Sequence, residues 1–386
     1  MESAAVGRND DEGRRDKVSA PLAVAADNGL LPTDLLREIL LRLPADALCR
    51  LRLVCRPWRW FTSDPGFANA HATRHLLITG LDRSRRAVHT LDMSSGNILR
   101  RILVPRQGFD LTTAQPDLVC VSPDHGPSFL LNSVTGVVAT MPKNVGCAVE
   151  SPSILGLVPA TGEYKVLRFH LESMNRSMVQ YCHVVTLGVN RRWRAGSRPP
   201  MIIEWRRSGH RVVMGGVAYF LLGTCLLNSA SIGPDSIASF DLATEEWRPT
   251  MAGPLSSSGS SKLLYHKHRH EFRLAKLNGC LVTVHHYQDC LMNLWFLVDA
   301  DKGIWAKKHS IQCEPGFCKH ACDPPHPLSV LNDERIVFRV LGGVLRAYDP
   351  STSMWADLAS LGGYSAIGIH EGSLLCSSVQ PINPDP

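Results

Sequence analysis

A single turn pattern recurs six times along this chain of 386 residues, and it constrains the fold more than any other feature. Each copy has an apolar strand, a polar turn and, six positions after the first residue of the turn, an aromatic or branched residue. The copies lie 40 to 58 residues apart, and four of the six end in Trp. Units of this length with about four short strands are typical of the blades of a β-propeller. The six pairs are Asp92/Ile98, Asn132/Val138, Leu187/Trp193, Asp241/Trp247, Asp299/Trp305 and Asp349/Trp355.

The chemistry of this turn favours a propeller, although a β-sandwich is the alternative interpretation. An Asp or Asn at the start of a turn accepts backbone N–H bonds and lets the chain reverse. The residue six positions later is expected to begin the next strand and to pack on its neighbour. Six turns predict six blades, and their uneven spacing leaves a seventh blade open. The segments 74–80 and 364–376 are expected to share one blade and close the ring.

A helical pattern precedes the repeats. A first helix is expected to have Thr33 or Asp34 as its N-cap and to stop at Pro44. A second helix is expected to begin near Ala45 and to end near Pro57. One stripe of the first helix is apolar at positions i, i+4 and i+8, and its residues are Leu35, Ile39 and Leu43, widened by Leu36 and Leu40.

These short helices carry more apolar surface than they can bury among themselves. A chain of fewer than ~40 to 60 residues rarely builds a sufficient core without a metal, a disulfide or a partner. We therefore expect the helices to pack against another surface. The pattern alone leaves two candidates open, because the helices could cap the large β-rich region or bind a different protein.

The segment Leu31–Trp58, LPTDLLREILLRLPADALCRLRLVCRPW, resembles the F-box family over almost its whole length. The resemblance implies a three-helix module that binds a Skp-type adaptor, which joins it to a cullin–RING ubiquitin ligase. It also implies a set of positions that contact the adaptor or form the core of the module, without separating these two roles. They are Leu31, Pro32, Leu35, Ile39, Leu43, Pro44, Leu48, Val54 and Trp58.

The repeat region resembles the F-box-associated domain that follows the F-box in many plant proteins. The segments that carry this resemblance are LLNSVTGVVATMP, ILGLVPATGEYKVLRFH, AKLNGCLVTVHH and NLWFLVDADKGIWAKKHSI. The expected fold is a small all-α module followed by an all-β, propeller-like repeat domain of six blades or seven. The expected organisation is a disordered leader at 1–28, the F-box module at 29–74, the propeller at 75–380 and a tail at 381–386.

The two resemblances together imply the substrate-recognition subunit of an SCF-type (Skp–cullin–F-box) ubiquitin ligase. The helical module would bind the adaptor, and the propeller would bind a client protein for ubiquitination. A non-degradative adaptor or scaffold is the first alternative, and a propeller enzyme or sugar-binding protein is the second. An acidic or polar cluster repeated in equivalent loops of several blades would favour the last, and the sequence does not reveal one.

The sequence offers weak candidates for catalysis or metal binding. It contains no G-x-S-x-G elbow, no phosphate-binding loop of Walker type and no H-E-x-x-H motif. We expect no catalytic residue, no metal and no cofactor. Two stretches rich in metal-ligand residues are interpreted as a loop with incidental thiols and an exposed edge. The first holds Cys313, Cys318, His320, Cys322 and His326, and the second holds His266, His268 and His270.

The charge pattern contains one unusual stretch, because seven arginines lie between residues 190 and 211 against Glu204 alone. Arg side chains suit carboxylate and phosphate groups, so an acidic or phosphorylated client segment could bind there. A solvated loop is the simpler interpretation. The net charge of +6 is too mild to indicate nucleic acid or membrane as a partner, and an N-terminus without an apolar stretch predicts a cytoplasmic or nuclear protein. The candidate client-binding residues are Arg191, Arg192, Arg194, Arg206 and Arg207.

Overall fold

The computed structural model describes a small helical module followed by six four-stranded antiparallel sheets. Each sheet is one blade of a propeller. The described residues are 32–370, with gaps at 44, 94–96, 106–108, 116–117, 124–126, 134, 143–151, 175–176, 189–191, 205–208, 223–232, 234, 258–269, 288–290, 314–323, 341 and 362–363. The expected leader at 1–28 and tail at 381–386 lie outside these residues.

The helical module contains four helices where the sequence predicted two and a short third piece. They are α1 (Thr33–Leu40), α2 (Ala45–Leu51), α3 (Arg56–Ser63) and α4 (Pro65–Arg74). A further short helix, α5 (Pro254–Ser257), lies in the propeller.

Three boundaries of the predicted helices were wrong. The N-cap of α1 is Pro32, and Thr33 and Asp34 are already helical. The same helix ends at Leu40, before the predicted stop at Pro44, which lies outside the described residues. The predicted second helix is two helices, and Pro57 lies in the first turn of α3, where a proline has no N–H bond to lose.

Within each blade, neighbouring strands pair antiparallel. In chain order they are β1 (Leu77–Asp82), β2 (Ala87–Asp92), β3 (Ile98–Leu103), β4 (Phe109–Ala114), β5 (Leu118–Pro123), β6 (Phe129–Asn132), β7 (Val138–Thr140), β8 (Ile154–Val158), β9 (Glu163–Met174), β10 (Ser177–Thr186), β11 (Arg194–Ala195), β12 (Arg211–Met214), β13 (Val217–Leu221), β14 (Ile237–Asp241), β15 (Glu246–Trp247), β16 (His270–Leu277), β17 (Cys280–Tyr287), β18 (Leu291–Asp299), β19 (Ile304–Gln312), β20 (His326–Val330), β21 (Ile336–Val340), β22 (Val344–Asp349), β23 (Met354–Ser360) and β24 (Tyr364–His370).

The last strand closes the ring, as the sequence predicted. Blade 1 has the strand order β24-β1-β2-β3, and β24 pairs with β1 from Leu77 opposite His370 to Asp82 opposite Tyr364. Blades 2 to 6 use four consecutive strands each, from β4-β5-β6-β7 to β20-β21-β22-β23. The prediction of six blades is confirmed, and the alternatives of a seventh blade and of a sandwich are wrong.

The repeated turn is held by the side chain at its first position. Oδ1 of Asp241 accepts the backbone N–H groups of Ala243 and Thr244, at 2.8 and 3.2 Å. Asp299 and Asp349 make equivalent bonds. In four of the turns, the residue four positions after the turn's first residue has a positive φ. These residues are Gly136 (78°), Glu245 (60°), Gly303 (63°) and Ser353 (58°).

In the four turns that have a tryptophan six positions after their first residue, this tryptophan connects its blade to the preceding one. Nε1 of Trp247 in blade 4 donates to the backbone oxygen of Ser197, just after blade 3, at 2.9 Å. Nε1 of Trp305 in blade 5 donates to Ala252, just after blade 4, at 3.0 Å. Equivalent bonds join Trp193 to Pro142 and Trp355 to Gln312. Between every pair of neighbouring blades, including blades 6 and 1, lies a cluster of buried apolar side chains.

The two faces of the propeller differ in their connections. In a four-stranded antiparallel blade, the first and third connections lie on one face, and the second connection and the link to the next blade lie on the other. We call the face with the first and third connections the turn face, because these connections are short. The longest of them is 187–193. The other is the loop face, and it carries 141–153, 196–210, 222–236, 248–269 and 313–325.

The helical module lies on the turn face. Its last helix ends at Arg74, and β1, the second strand of blade 1, begins at Leu77 on that face. The backbone N–H of Met93, in the turn after β2, donates to the oxygen of Leu76 at 3.0 Å. The module and the long connections are therefore at opposite ends of the propeller.

Candidate adaptor-binding surface

The core of the helical module uses some of the residues that the resemblance gave as adaptor-contact or core positions. Leu48 is fully buried and packs with Leu40, Leu41 and Phe67. Leu43 and Trp58 are half-buried and pack against the same cluster. The structure therefore places Leu48, Leu43 and Trp58 in the interior of the module or at its edge.

A second group of the predicted residues faces solvent. The exposed fraction is 49% for Leu35, 43% for Ile39 and 69% for Val54, and Pro32 is also exposed. Leu35 and Ile39 are four positions apart on α1, while Leu36 and Leu40 point from the same helix into the core. Leu31 and Pro44 lie outside the described residues.

Two further apolar residues join the exposed group, and the sequence reasoning missed both. Leu53 is 79% exposed and Trp60 is 68% exposed. Trp60 follows Trp58 by two positions, which places the two rings on different sides of α3. The sequence signal was present, but it was hidden because the predicted second helix ran through the boundary between α2 and α3.

The connection that carries Leu53 and Val54 is held in place by Arg52. Its guanidinium donates to the backbone oxygen of Thr62 at 2.5 Å and to the hydroxyl of Thr62 at 3.2 Å. That hydroxyl donates in turn to the backbone oxygen of Trp58 at 2.8 Å. The exposed apolar residues are thus presented on a connection anchored to α3, and binding a partner would not require the connection to be ordered first.

Two stacked histidines connect the module to the propeller. His71 in the last turn of α4 and His75, the residue after that helix, have ring centroids 4.3 Å apart. Their Nε2 atoms lie 2.9 and 3.0 Å from the backbone oxygens of Leu43 and Leu41, just after α1. Burial lowers the pKa of His71, which favours the neutral ring that donates one N–H to a carbonyl. The His75 ring also lies 3.9 Å from a carboxylate oxygen of Asp92 in blade 1.

The predicted client-binding arginines do not form one patch in the described residues. Arg191, Arg206 and Arg207 lie outside them, and Arg192 is exposed on the turn face. Arg194 is also on that side, where its Nε donates to Oε2 of Glu245 at 3.0 Å. The same carboxylate receives the buried Lys165 at 2.7 Å, so Arg194 helps to join blade 3 to blade 4.

The described residues contain no group of three side chains that could hold a metal ion. Cys318, His320 and Cys322 lie outside them, as do His266 and His268, and Cys313 is a buried free thiol. Burial raises the pKa of Cys120 to about 11 and that of Cys182 to about 12, so both thiols are protonated and unreactive at neutral pH. Over the part of the chain that the structure describes, no helix is both long and apolar enough to span a bilayer.

Family comparisons match both parts of the chain. The F-box domain matches residues 29–64, and the F-box associated beta propeller domain matches residues 104–323, which is more than half of the chain.

Three relatives from Arabidopsis thaliana are similar to this chain over most of their length. F-box protein At3g07870 is 25% identical over 396 residues, covering 89% of this chain and 91% of the relative. F-box protein CPR1 is 23% identical and covers 73% of each chain. F-box protein At2g21930 is 22% identical and covers 76% of each chain.

Proposed function

Because the chain belongs to the F-box proteins that carry an F-box-associated β-propeller domain, we propose that it is the substrate-recognition subunit of an SCF-type ubiquitin ligase. The helical module binds a Skp-type adaptor and through it a cullin–RING ligase, and the propeller binds a client protein. This role is exercised in the cytoplasm or the nucleus. The client is brought close to the transferring enzyme, which raises the effective concentration of its lysines.

The observation that carries this proposal is the exposure of five large apolar residues on a module whose interior is already packed. Leu35, Ile39, Leu53, Val54 and Trp60 are 43 to 79% exposed. Five large apolar side chains exposed on so small a module are typical of a protein–protein interface. The propeller does not cover these side chains, so the expectation that the helices only cap the large domain is not supported.

The mechanism needs no nucleophile in this chain. The propeller is rigid because each blade packs on the next through a buried apolar cluster and, in four blades, a tryptophan N–H bond. The stacked histidines and the bond between Met93 and Leu76 connect the module to blade 1. Such a connection would hold a bound client at a constant position relative to a bound adaptor.

Co-purification with a Skp-type adaptor tests the proposal. The wild-type chain should retain the adaptor, and the double variant Leu35→Asp/Ile39→Asp should lose it, because two carboxylates cannot be desolvated in an apolar interface. Val298→Asp is the matched control, since Val298 is 64% exposed on the propeller, far along the chain from the module. A wild-type chain that captures no adaptor would refute the proposed function.

A reconstituted reaction separates a ligase subunit from a scaffold. With the adaptor, a cullin–RING ligase, its conjugating enzyme and ubiquitin present, a client that co-purifies with the propeller should acquire ubiquitin. The double variant should bind this client and leave it unmodified. A bound client that is never modified by the wild-type complex would favour the non-degradative scaffold.

A further inference from the structure

One short connection on the loop face of blade 1 is rich in arginine. It joins β1 to β2, and its four residues are Arg83, Ser84, Arg85 and Arg86. As the second connection of the blade, it lies at the end of the propeller opposite the helical module. Arg83 and Arg86 are exposed, and Arg85 is half-buried. Two cationic side chains therefore face solvent at one tight turn.

The turn is held by its own hydrogen bonds. Oδ1 of Asp82 accepts the backbone N–H groups of Arg86 and Ala87, at 2.8 and 2.9 Å, and Oδ2 accepts the hydroxyl of Ser84. The backbone N–H of Arg85 donates to the backbone oxygen of Asp82 at 2.9 Å, and Arg85 has a φ of 51°, which is uncommon for a residue other than glycine. The arginines thus project from a fixed backbone, and a partner would not have to order the turn on binding.

The third strand of the hairpin sheet adds another arginine and an exposed leucine. Leu103 of β3 is opposite Ala87, the residue that follows the turn, and Arg101 is opposite His89. The residue after Leu103 donates its backbone N–H to the oxygen of Arg86 at 2.9 Å, which ties the end of β3 to the turn. Arg101 lies two positions before Leu103, about 7 Å along the strand. We call this group the arginine corner, and its members are Arg83, Arg86, Arg101 and Leu103.

The described acids do not balance the charge of the arginine corner. Arg83 and Arg101 are both exposed, and within the described residues neither has a carboxylate at salt-bridge distance. The acid beside them in the chain is Asp82, whose oxygens accept the bonds of the turn. Burial first, and then the charge of Arg101, lower the pKa of His89, and Asp82 has a smaller, opposite effect. At the His89 ring, the field of Arg101 therefore exceeds that of Asp82.

Leu103 adds an apolar element to the arginine corner. Its side chain is 65% exposed, whereas the adjacent Ile102 is 4% exposed and packs in the cluster between blades 1 and 2. A single exposed leucine is common on protein surfaces. Beside arginines that lack carboxylates, however, it favours a partner with both acidic and apolar side chains, because such a partner would neutralise the cations and cover the leucine.

A peptide fits this surface better than a nucleic acid does. Proteins that bind single strands stack the bases on aromatic side chains along a groove. In the described part of blade 1, no aromatic ring is exposed. His89 and Tyr364 are half-buried, and Nδ1 of His89 lies 2.8 Å from the hydroxyl of Tyr364. Three exposed arginines at one corner match a few carboxylates, which a short peptide segment can supply.

We infer that the arginine corner is the client-binding surface and that it binds a short acidic segment of the client that also carries an apolar residue. This inference rests on the proposed function and specifies its client side. It moves the site from the arginine run at 190–211 to blade 1, because the structure places Arg192 and Arg194 on the turn face.

The position of the arginine corner suits this role. β1 and β2 run from the junction with the helical module to the corner, and Leu76 and Met93, just outside the two strands, form the backbone bond of that junction. Each strand has six residues, which corresponds to about 20 Å. Adaptor and client are then connected through one hairpin, at opposite ends of the propeller, and do not compete.

A peptide array tests the inference with probes of defined charge. The complex of the full chain with its adaptor, labelled on the adaptor, is applied to random 15-residue peptides that cover net charges from strongly negative to strongly positive. The bound peptides should be acidic, and the signal should decrease as salt is added. Arg83→Glu and Arg101→Glu should each reduce the signal about tenfold, because each replaces an attraction by a repulsion.

Arg192→Glu is the matched control for charge. Arg192 is also exposed, but it lies on the turn face, and the substitution changes the net charge of the chain by the same amount. This variant should bind the same peptides as the wild type. All three variants should retain the adaptor and the melting temperature of the wild type, so that a loss of signal reports the arginine corner and not the fold.

The apolar part of the inference has its own pair of variants. Leu103→Asp should also reduce the signal about tenfold, because it removes the apolar contact and adds a negative charge. Val298→Asp is its control, since Val298 is 64% exposed, close to the 65% of Leu103, but lies in blade 5. Among the peptides that bind, those with a large apolar residue beside the acids should give the stronger signal.

The outcomes separate the two proposals. A wild-type chain that captures no adaptor refutes the proposed function, whatever the array shows. If the adaptor is captured, an array without bound peptides, or with bound peptides that show no acidic preference, overturns the inference. Equal signals from Arg83→Glu, Arg101→Glu and Arg192→Glu also overturn it. Binding of a single-stranded oligonucleotide that depends on Arg101, with no binding of acidic peptides, would identify a different class of partner and reject the inference as well.

Discussion

Replacing Leu48 and Leu35 by alanine, one at a time, tests the division that the structure makes within the helical module. Both are leucines in short helices, and both matched the sequence pattern expected for adaptor binding. Leu48 is 0% exposed in the packed cluster, and Leu35 is 49% exposed on α1. The two substitutions remove the same atoms, so their different effects report the environment alone.

The expected magnitudes differ by several kcal/mol. Truncating a fully buried leucine to alanine costs about 2 to 5 kcal/mol, because apolar contacts are lost and a cavity remains. A module of this size has a free energy of unfolding of about 2 to 6 kcal/mol at the typical value per residue. Leu48→Ala should therefore unfold a large fraction of the module, whereas Leu35→Ala should change its stability by less than about 0.5 kcal/mol.

Circular dichroism at 222 nm during urea titration provides the assay, because helices dominate that signal and the propeller is almost entirely strands. Leu48→Ala should shift the helical transition to lower urea, with Leu35→Ala overlapping the wild type. Adaptor capture should fall in both variants. In Leu48→Ala, the loss should be in proportion to the fraction of molecules whose helical module is unfolded. The reasoning is refuted if Leu35→Ala destabilises the module as much as Leu48→Ala.

Two further predictions concern the propeller. Trp305→Phe removes the N–H bond to Ala252 and should lower the free energy of unfolding, measured in guanidinium, by about 0.5 to 1.5 kcal/mol. Trp60→Phe, at a site 68% exposed, should leave this free energy unchanged. Burial first, and then Arg273, lower the pKa of His286 from 6.5 to about 3, so the unfolded chain binds more protons between these values and stability must fall as the pH drops below 6.5. The slope attributable to this residue is about 1.4 kcal/mol per pH unit, and urea titrations from pH 7 to pH 5 should show a shallower loss for His286→Gln than for the wild type.

The propeller could be predicted from the sequence because its signals are local. The side chain of Asp241 binds N–H groups two and three residues away, and Trp247 lies at a constant distance after it. Neither relation depends on the rest of the fold. Ring closure was also accessible, since a strand left over at the end of a repeat array needs a partner.

The candidate site could be predicted only in part, because exposure depends on how separate helices pack. Leu35 and Leu36 are neighbours of the same type, and only the packing of α1 against the other helices makes one an exposed residue and the other a core residue. Pro57 was ambiguous for a similar reason, since a proline can follow a helix or occupy the first turn of the next. The arginine run was treated as one patch, but a turn, a strand and a connection distribute Arg192 and Arg198 to opposite faces.

If the proposed function holds, the separation of the two faces explains how one scaffold can keep its adaptor and change its client. The turn face has short connections whose side chains and glycines are required by the turn itself, and the helical module occupies part of it. Substitutions there would weaken the blades or the junction. The loop face carries the hairpin of blade 3 and the five long connections, whose side chains are not required for the repeated turns and which contribute backbone oxygens to the tryptophan bonds. Since loops on a rigid scaffold tolerate substitution, the loop face can vary while the exposed surface of Leu35 and Ile39 remains constant, and under the proposed function this variation would change the client.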